Sequence, residues 1–301
     1  MKSFQLSDNV FDRLNRVLLL GVVSLIAYPL LFILSASVSD PVAVGSGQMW
    51  LWPVRPTLAG YERIFENSLI WLGYRNTIMY TVVGTLLHLL LLLPCAYALS
   101  RKEVAGKKPI VWMILFTMLF NGGLIPTYLV IKALGMLDTI WAIVIPNAVG
   151  AWAMLVAHAF FKQSIPDELV EASKVDGASD FSIFVRVALP LSAPIIAVMA
   201  LFHAVGLWNQ YFNALIYLSD NQRFPLQLIL RQILIVNEIG SGDPQAMMDQ
   251  TGEVRSMLDK VKMAELIKYG VMIVSSLPLL IVYPFLQRFF VKGVLIGSIK
   301  G

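Results

Sequence analysis

The sequence predicts an all-α, polytopic membrane protein with six transmembrane helices. Of its 301 residues, 57% are hydrophobic and only 14% are charged, whereas soluble domains average about 45–50% apolar and about 25% charged residues. A soluble globule of this composition would lack the polar surface needed to face water. The apolar residues also come in long runs, such as 86–93, which only His88 interrupts. Such runs indicate helices, because the strands of a membrane barrel alternate apolar and polar residues.

Six segments have the roughly 20 apolar residues that are needed to cross about 30 Å of hydrocarbon. In chain order they are residues 17–38, 76–99, 110–131, 139–161, 190–218 and 264–291. The first is expected to be an uncleaved anchor rather than a signal peptide, because it exceeds the apolar core of about 7–15 residues typical of signal peptides. The sequence therefore divides into a charged amino-terminal segment, 1–16, and a transmembrane domain, 17–301.

The distribution of lysine and arginine predicts the orientation of these spans. With a cytoplasmic amino terminus, the first two inner segments carry seven basic residues: Lys2, Arg13, Arg16, Arg101, Lys102, Lys107 and Lys108. The facing outer loops, taken as 39–69 and 132–138, carry three, which are Arg55, Arg63 and Lys132. Because basic residues concentrate in cytoplasmic loops, both termini are predicted to be cytoplasmic. The net charge of +4 is too small to indicate a nucleic-acid partner.

The inner hydrophilic stretch, 162–190, carries the signals of a short helix that ends in a sharp turn. Ser164 and Asp167 form an [ST]-x-x-[DE] capping pattern, and Pro166 suits the first helical turn. Gly177 is a natural end for this helix, because glycine readily adopts the left-handed conformation found there.

A second short helix is predicted over 180–188. Ser179 can cap it, and Leu189-Pro190 ends it before the fifth span. The apolar residues of the preceding helix do not form one stripe, as expected for a helix held between two protein surfaces. From the residues alone, two interpretations stay open: docking to a partner protein, or an elbow that only turns the chain.

This stretch resembles the EAA loop of ABC importer permeases, which reads Glu-Ala-Ala, three residues, Gly, nine residues, Ile, one residue and Leu-Pro. The chain matches at Glu171-Ala172-Ser173, Gly177, Val187 and Leu189-Pro190, with Ser173 and Val187 as its two departures. Other segments resemble the maltose-type, sugar-specific branch: Ala96 to Arg101, Trp208-Asn209, Phe212-Asn213 and 297–301. The run from Phe120 to Tyr128 resembles permeases of oligosaccharide, alginate-type and lipo-oligosaccharide-type systems.

The resemblance implies a type I ABC importer permease fold and a carbohydrate-importing function, for an oligosaccharide, in the bacterial inner membrane. It implies three kinds of partner: a second homologous permease, a cytoplasmic ATPase dimer that carries the ATP and Mg, and an external solute-binding protein. The loop would then be a coupling helix in a cleft of the ATPase, shaped by Glu171, Ala172, Ser173, Asp176, Gly177, Leu189 and Pro190. This chain would bind no cofactor, and it lacks the phosphate-binding pattern G-x-x-x-x-G-K-[ST].

Polar and aromatic residues within the spans are the candidates for a substrate path, because such groups are costly in lipid. They are Asn121, Tyr128, Asn147, His203, Trp208, Asn209, Gln210, Tyr211 and Asn213. Aromatic rings stack on the apolar face of a sugar, while amides bond its hydroxyls. Two other roles stay open, since Trp and Tyr also line membrane interfaces and amides also join helices.

The outer stretch 219–263 is rich in amides and is expected either to dock an external binding protein or to be a solvated loop with a short interfacial helix. Two rival functions compete with the permease. A self-contained secondary transporter would need acidic groups within its spans, and the only one near is Glu265, at the edge of the last span. An intramembrane enzyme would need a nucleophile–base pair or a metal site, and the three histidines lie in separate spans.

Overall fold

The computed structural model describes residues 2–240 and 267–284, and every regular element in these residues is helical. The first four helices are α1 (Lys2–Ser37), α2 (Pro41–Gly45), α3 (Ala59–Glu66) and α4 (Ser68–Ser100). The next five are α5 (Lys107–Leu119), α6 (Leu124–Ala133), α7 (Ile140–Val144), α8 (Ala151–Ser164) and α9 (Asp167–Val175). A continuous helical run follows, made of α10 (Asp180–Ile183), a π-helical turn (Phe184–Ala188) and α11 (Leu189–Leu191). The remainder comprises α12 (Ala193–Trp208), α13 (Phe212–Tyr217), a 3-10 turn (Asn221–Arg223), α14 (Leu226–Gly240) and α15 (Ile267–Pro284).

Three helices are long and apolar enough to cross a membrane by themselves: Val10–Ser37 within α1, Ser68–Ser100 and Ile267–Pro284. They coincide with the first, second and last predicted spans. Two further pairs pass the same test jointly, α5 with α6 and the run Asp180–Leu191 with α12. The described residues thus hold three spanning helices, or up to five if each bent pair is one span. The full count of six stays a prediction.

The third predicted span, 110–131, is not a continuous helix. The axes of α5 and α6 differ by 115°, and residues 120–123 between them are not helical. Gly123 adopts a φ of +86°, and the Asn121 side chain accepts a hydrogen bond from its amide at 2.9 Å. This local bond competes with the helical pattern and, with the left-handed glycine, breaks the helix.

The fourth and fifth predicted spans are interrupted as well. The predicted helix 139–161 divides into α7 and α8 at 145–150, where Pro146 cannot donate a backbone hydrogen bond. The predicted helix 190–218 bends by 79° at Ser192 and breaks again at 209–211. Its helical part, α12, ends where the backbone amide and the side-chain amide of Asn209 both donate to Val205 O, at 3.1 and 3.0 Å.

The described residues form two compact units. One comprises 2–70, 230–240 and 267–277, and the other comprises 71–229 and 278–284. In the first unit, a small core of Ala36, Val44 and Met49 lies beneath the segment that follows α1. In the second unit, the core joins α4, α8 and α12, with Leu92, Ala96, Ala157, Phe161 and Met199 at its centre.

Candidate functional site

The helix α9 of the 162–190 loop begins without the side-chain cap that its sequence predicts. Ser164 is the last residue of α8 rather than a cap, and Pro166 occupies the N-cap position with no side-chain bond. Pro166 has an extended backbone (φ −60°, ψ 145°), which lets α9 begin at Asp167. Asp167 and Glu168 in the first turn instead favour the helix electrostatically, because its amino-terminal end carries partial positive charge.

The predicted end of α9 at Gly177 is confirmed. Gly177 has a φ of +81°, and its amide donates to Lys174 O at 3.0 Å. The next amide, that of Ala178, donates to Ser173 O at 3.0 Å. These two bonds form a Schellman motif, which requires a left-handed residue at this position. The glycine therefore makes a fixed corner rather than a loose joint.

The second helix is longer than predicted. The Ser179 side chain accepts a hydrogen bond from the Ser182 amide at 3.3 Å, which confirms the predicted cap. The helix does not end at 188, however, but continues to Leu191. A π-helical turn makes this possible: Leu189 N donates to Phe184 O, five residues earlier. We attribute the wider turn to Pro190, which lacks an amide and would crowd the preceding turn of an ordinary α-helix.

The two short helices divide their surface between the chain's core and solvent. On the inner side, Val170 of α9 and Ile183 of α10 are buried in the core of the second unit. On the face turned away from this core, Val175 is 88% exposed and Phe181 is 75% exposed. Of the residues predicted to shape a partner interface, five are exposed: Glu171, Ala172, Asp176, Gly177 and Pro190. Ser173 and Leu189 are half-buried.

A buried arginine fastens this loop to the end of α4. Arg101, with a side chain only 8% exposed, donates from Nη2 to Phe161 O and to Ile165 O, each at 3.3 Å. Its Nη1 lies 3.7 Å from a carboxylate oxygen of Asp167, and its guanidinium lies 5.0 Å from the ring centre of Tyr97. The arginine thus joins α4 to the last turn of α8 and the first turn of α9. The sequence indicated only its cytoplasmic side, not its burial.

Exposed ion pairs add to this attachment. Lys102 Nζ lies 2.7 Å from Asp167, and this hydrogen bond lowers the pKa of the Asp167 carboxyl below its usual value. Lys174 bonds both carboxylate oxygens of Glu103 at 2.9 Å and lies 3.4 Å from Asp180. The bonds to Glu103 raise the pKa of the Lys174 ammonium. Because these groups are exposed, water and salt screen each pair, and its contribution to stability is small.

A cavity of about 380 Å³ opens where two of the spans are interrupted. Its lining combines apolar residues such as Phe202 and Leu207 with six polar side chains: Asn147, His203, Asn209, Gln210, Tyr211 and Asn213. Asn147 lies in the break between α7 and α8, and 209–211 form the break between α12 and α13. Non-helical backbone at membrane depth is tolerated where it faces protein or a water-filled space. The cavity gives the two breaks such a space.

Two nitrogens in this lining have no hydrogen-bond partner although they are buried, Nε2 of His203 and Nε2 of Gln210. The His203 ring is held in place by stacking on His88, with ring centres 4.1 Å apart and planes within 3°. His88 in turn bonds Ala148 O through Nδ1 at 2.7 Å. The cavity therefore presents two unpaired nitrogens, one of them on the stacked ring of His203, which suits a ligand rich in hydroxyl groups.

Three of the predicted path residues lie outside this cavity. Trp208 borders a separate apolar pocket beside Thr81 and Thr85. Tyr128 stacks on Tyr217, with ring centres 6.4 Å apart. Asn121 lies exposed at the break between α5 and α6. Among the described residues, no group of three or more histidine, cysteine or acidic side chains is arranged to hold a metal ion.

The beginning of the predicted outer stretch 219–263 is anchored to the half of α4 that lies away from Arg101. Asn76 Nδ2 donates to Gln222 O at 2.8 Å and to Phe224 O at 3.1 Å. Nearby, Tyr80 OH donates to Arg223 O at 2.7 Å. The stretch continues as α14, and residues 241–263 lie outside the described part, as do Glu265 and the tail 297–301.

A second support for this outer stretch comes from Asp138, which has a φ of +55°. Its carboxylate accepts hydrogen bonds from the amides of Ser219 at 2.6 Å and Asp220 at 3.0 Å. These two backbone bonds lower the pKa of the Asp138 carboxyl. Neither anchor was predicted, because Asn76, Tyr80 and Asp138 are distant in sequence from the segment they hold.

The chain matches proteins of known family over most of its length. Residues 69–296 match the family described as "Binding-protein-dependent transport system inner membrane component". Protein LplC of Bacillus subtilis (strain 168) is 39% identical over 98% of this chain and 96% of its own length. The polygalacturonan/rhamnogalacturonan transport system permease protein YtcP of the same organism is 38% identical over 98% of this chain and its whole length.

One solved structure has the same fold and a related sequence. It is a chain of a bacterial ABC transporter involved in the import of the acidic polysaccharide alginate, with a TM-score of 0.83 and 33% identity, covering 94% of this chain and 98% of that one. The helical architecture and these matches agree with one another. The chain belongs to the family of inner-membrane components of binding-protein-dependent transport systems.

Proposed function

We propose that this chain is one permease half of an ATP-driven ABC importer that takes up an oligosaccharide delivered by an external solute-binding protein. The names of YtcP and of the alginate transporter, both of which refer to polysaccharides, support a saccharide. Family membership makes the chain a transport component rather than an enzyme. The energy would come from a separate ATPase subunit, where ATP and Mg would bind, and a second permease would complete the path.

The observation that carries this proposal is the geometry of the loop formed by α9, Gly177 and the helix after it. Its outer face is exposed and mixes acidic Glu171 with apolar Val175 and Phe181. Its inner face is fastened to α4 by Arg101. A docking helix must transmit movement without bending, and a helix fixed at both its ends meets that need. A loop that only turned the chain would need neither the buried cation nor the exposed apolar residues.

The sidedness of the loop is part of the proposal. Seven basic residues against three favour an arrangement in which both termini and the 162–190 loop are cytoplasmic. The ATPase dimer would then bind this loop from inside, and the anchored stretch that begins at Ser219 would face the external binding protein.

The polar cavity is the proposed contact site for the saccharide. Discontinuous helices commonly form the substrate sites of transporters, since their breaks supply polar groups at membrane depth. Here the breaks supply Asn147, Asn209 and Tyr211, and α12 supplies His203. Asn121, at the third break, and Tyr128 would lie further along the path.

Site-specific crosslinking tests the coupling assignment. Ala172→Cys in a Cys95→Ala background should crosslink to the ATPase subunit in native membranes, because Ala172 lies on the exposed face of α9. Gln48→Cys, exposed on the opposite side of the membrane in this proposal, serves as the matched control and should give no such crosslink.

Two outcomes would contradict the proposal. One is that Ala172→Cys reacts with an impermeant thiol reagent added from outside, as Gln48→Cys should. The other is that Ala172→Cys gives no ATPase crosslink although the complex copurifies intact.

A further inference from the structure

Two tryptophans project from the segment that follows α2. Trp50 is 81% exposed and Trp52 is 79% exposed, in a stretch, residues 46–56, that we call the tryptophan loop. The residues beside them point the other way: Met49 is buried and Leu51 is half-buried. A pair of large exposed aromatic rings is unusual on a surface that faces only water. Such a pair indicates that the loop contacts another surface.

The tryptophan loop is held in one conformation by hydrogen bonds to the end of α1. Ser35 Oγ donates to Leu51 O at 2.6 Å. Ser39 Oγ accepts from Val54 N at 3.2 Å, and the Asp40 amide donates to Val54 O at 3.1 Å. Beneath these bonds, Met49 packs in the small core of the first unit. The two indole rings are therefore carried on a fixed support.

These bonds also fix the depth of the loop relative to the membrane. Ser35 is in the last turn of α1, so Trp50 and Trp52 lie level with the end of a helix that can cross the bilayer. From Val17 to its end at Ser37 that helix carries no charged residue, and these 21 residues extend about 32 Å, compared with about 30 Å of hydrocarbon. A centred helix would thus place its last turn at the boundary between the hydrocarbon and the headgroup layer. Its most apolar window is wholly unburied within the chain, which is consistent with contact with lipid.

The charge of the segment suits the same location. Between Pro41 and Pro56 the only charged side chain is Arg55, and it is paired with Asp40 at 3.3 Å. Val42, in the adjoining α2, is also exposed. A surface of indoles and aliphatic groups with one neutralised charge is favourable at a bilayer interface, where tryptophan is enriched because its ring is amphipathic.

We propose that the tryptophan loop binds the lipid headgroup layer on the side where α1 ends, with Trp50 and Trp52 as its anchors. By this contact it sets the depth of α1, which has little protein around it. The partner is the bilayer surface itself, and the proposal does not depend on which saccharide the importer carries.

Depth measurements by spin labelling test this. Single cysteines replace Trp50, Trp52 or Gln48 in a Cys95→Ala background, and the complete importer is reconstituted in phosphatidylcholine–phosphatidylglycerol nanodiscs. Labels at positions 50 and 52 should be relaxed several-fold more by oxygen, relative to a water-soluble nickel chelate, than the label at Gln48, an exposed residue of the same loop. Adding the external binding protein should not change this ratio.

Two results would overturn the proposal. If the labels at 50 and 52 respond to the nickel chelate as the label at 48 does, the loop lies in water. If they are shielded from both reagents, or become shielded when the binding protein is added, a protein covers them instead of lipid. A second measurement guards against disturbance by the label. In the unlabelled importer, brominated lipid should quench the fluorescence of these two indoles. The double variant Trp50→Phe/Trp52→Phe should lose that part of the quenching.

Discussion

Arg101 shows how one side chain can join three helices. The sequence marks it as a basic residue that determines orientation, and nothing in its neighbourhood predicts burial. In the structure it bonds the carbonyls of Phe161 and Ile165 and approaches Asp167. A buried guanidinium needs partners: here Nη2 is bonded to two carbonyls, while Nη1 makes no hydrogen bond and lies 3.7 Å from Asp167.

Replacing Arg101 should therefore uncouple the importer. Arg101→Gln removes charged hydrogen bonds worth about 1.5–3 kcal/mol each, and losing even one would raise the undocked population of the loop about tenfold. We expect saccharide uptake per ATP hydrolysed to fall by about that factor in proteoliposomes. The matched control is Lys102→Gln, the adjacent but exposed cation, which should change this ratio little. Equal effects of the two substitutions would show that burial of Arg101 is unimportant.

At the scale of elements, the 162–190 loop, proposed above to bind the ATPase, depends on a tight turn at Gly177 that few residue types can adopt. A Cβ atom added at Gly177 would meet no heavy atom within 4 Å, so a substitution there is penalised by backbone conformation and not by crowding. The left-handed conformation costs other residues roughly 1–2 kcal/mol, less for asparagine and more for β-branched residues.

A graded series of substitutions at Gly177 should follow that order. Gly177→Val should abolish uptake and separate it from ATP hydrolysis, Gly177→Ala should be intermediate, and Gly177→Asn should keep most activity. The amount of protein in the membrane fraction should stay unchanged throughout, since insertion depends on the spans. Normal uptake by the valine variant would refute the role of this corner.

The helices also show where sequence reasoning succeeds and where it fails. The spans with uniform composition, in α1 and α4, are located correctly because hydropathy alone determines them. The spans near Asn121, Pro146 and Asn209 are broken, although their composition is equally apolar. Their breaks depend on single side-chain bonds, on one proline and on a glycine with positive φ, which an average over twenty residues does not detect. The Gly177 corner was predictable because local chemistry alone specifies it.

At the scale of the whole molecule, the breaks collect the polar residues of separate spans into one cavity. Composition predicts that such residues face an interior, but not which of them meet. The structure brings together Asn147, His203, Asn209, Tyr211 and Asn213, with Gln210, and leaves Asn121, Tyr128 and Trp208 elsewhere. Only the three-dimensional arrangement of the broken helices distinguishes the two groups.

Gln210 provides a test of this cavity. Its Nε2 is buried without a partner, and an unpaired buried donor costs about 1–3 kcal/mol. Gln210→Leu should therefore preserve or raise the thermal stability of the complex while it weakens uptake several-fold, measured as a higher KM for receptor-delivered saccharide. Gln48→Leu, a change of the same kind at an exposed site, should leave KM unchanged. Loss of stability together with activity would indicate a structural role for Gln210 instead.

The uninterrupted course of α4 has one more consequence. Arg101 follows its last residue and bonds the 162–190 loop, while Asn76 and Tyr80, about 38 Å and about 32 Å away along the same helix, hold the stretch that begins at Ser219. A tilt of about 5° around its middle would shift the Arg101 end by roughly 2 Å and Asn76 by roughly 1 Å in the opposite direction. If the loop binds the ATPase and the stretch from Ser219 binds the receptor, as proposed, nucleotide state and receptor occupancy would be linked by the movement of one helix, with no relay of rearranging side chains between them.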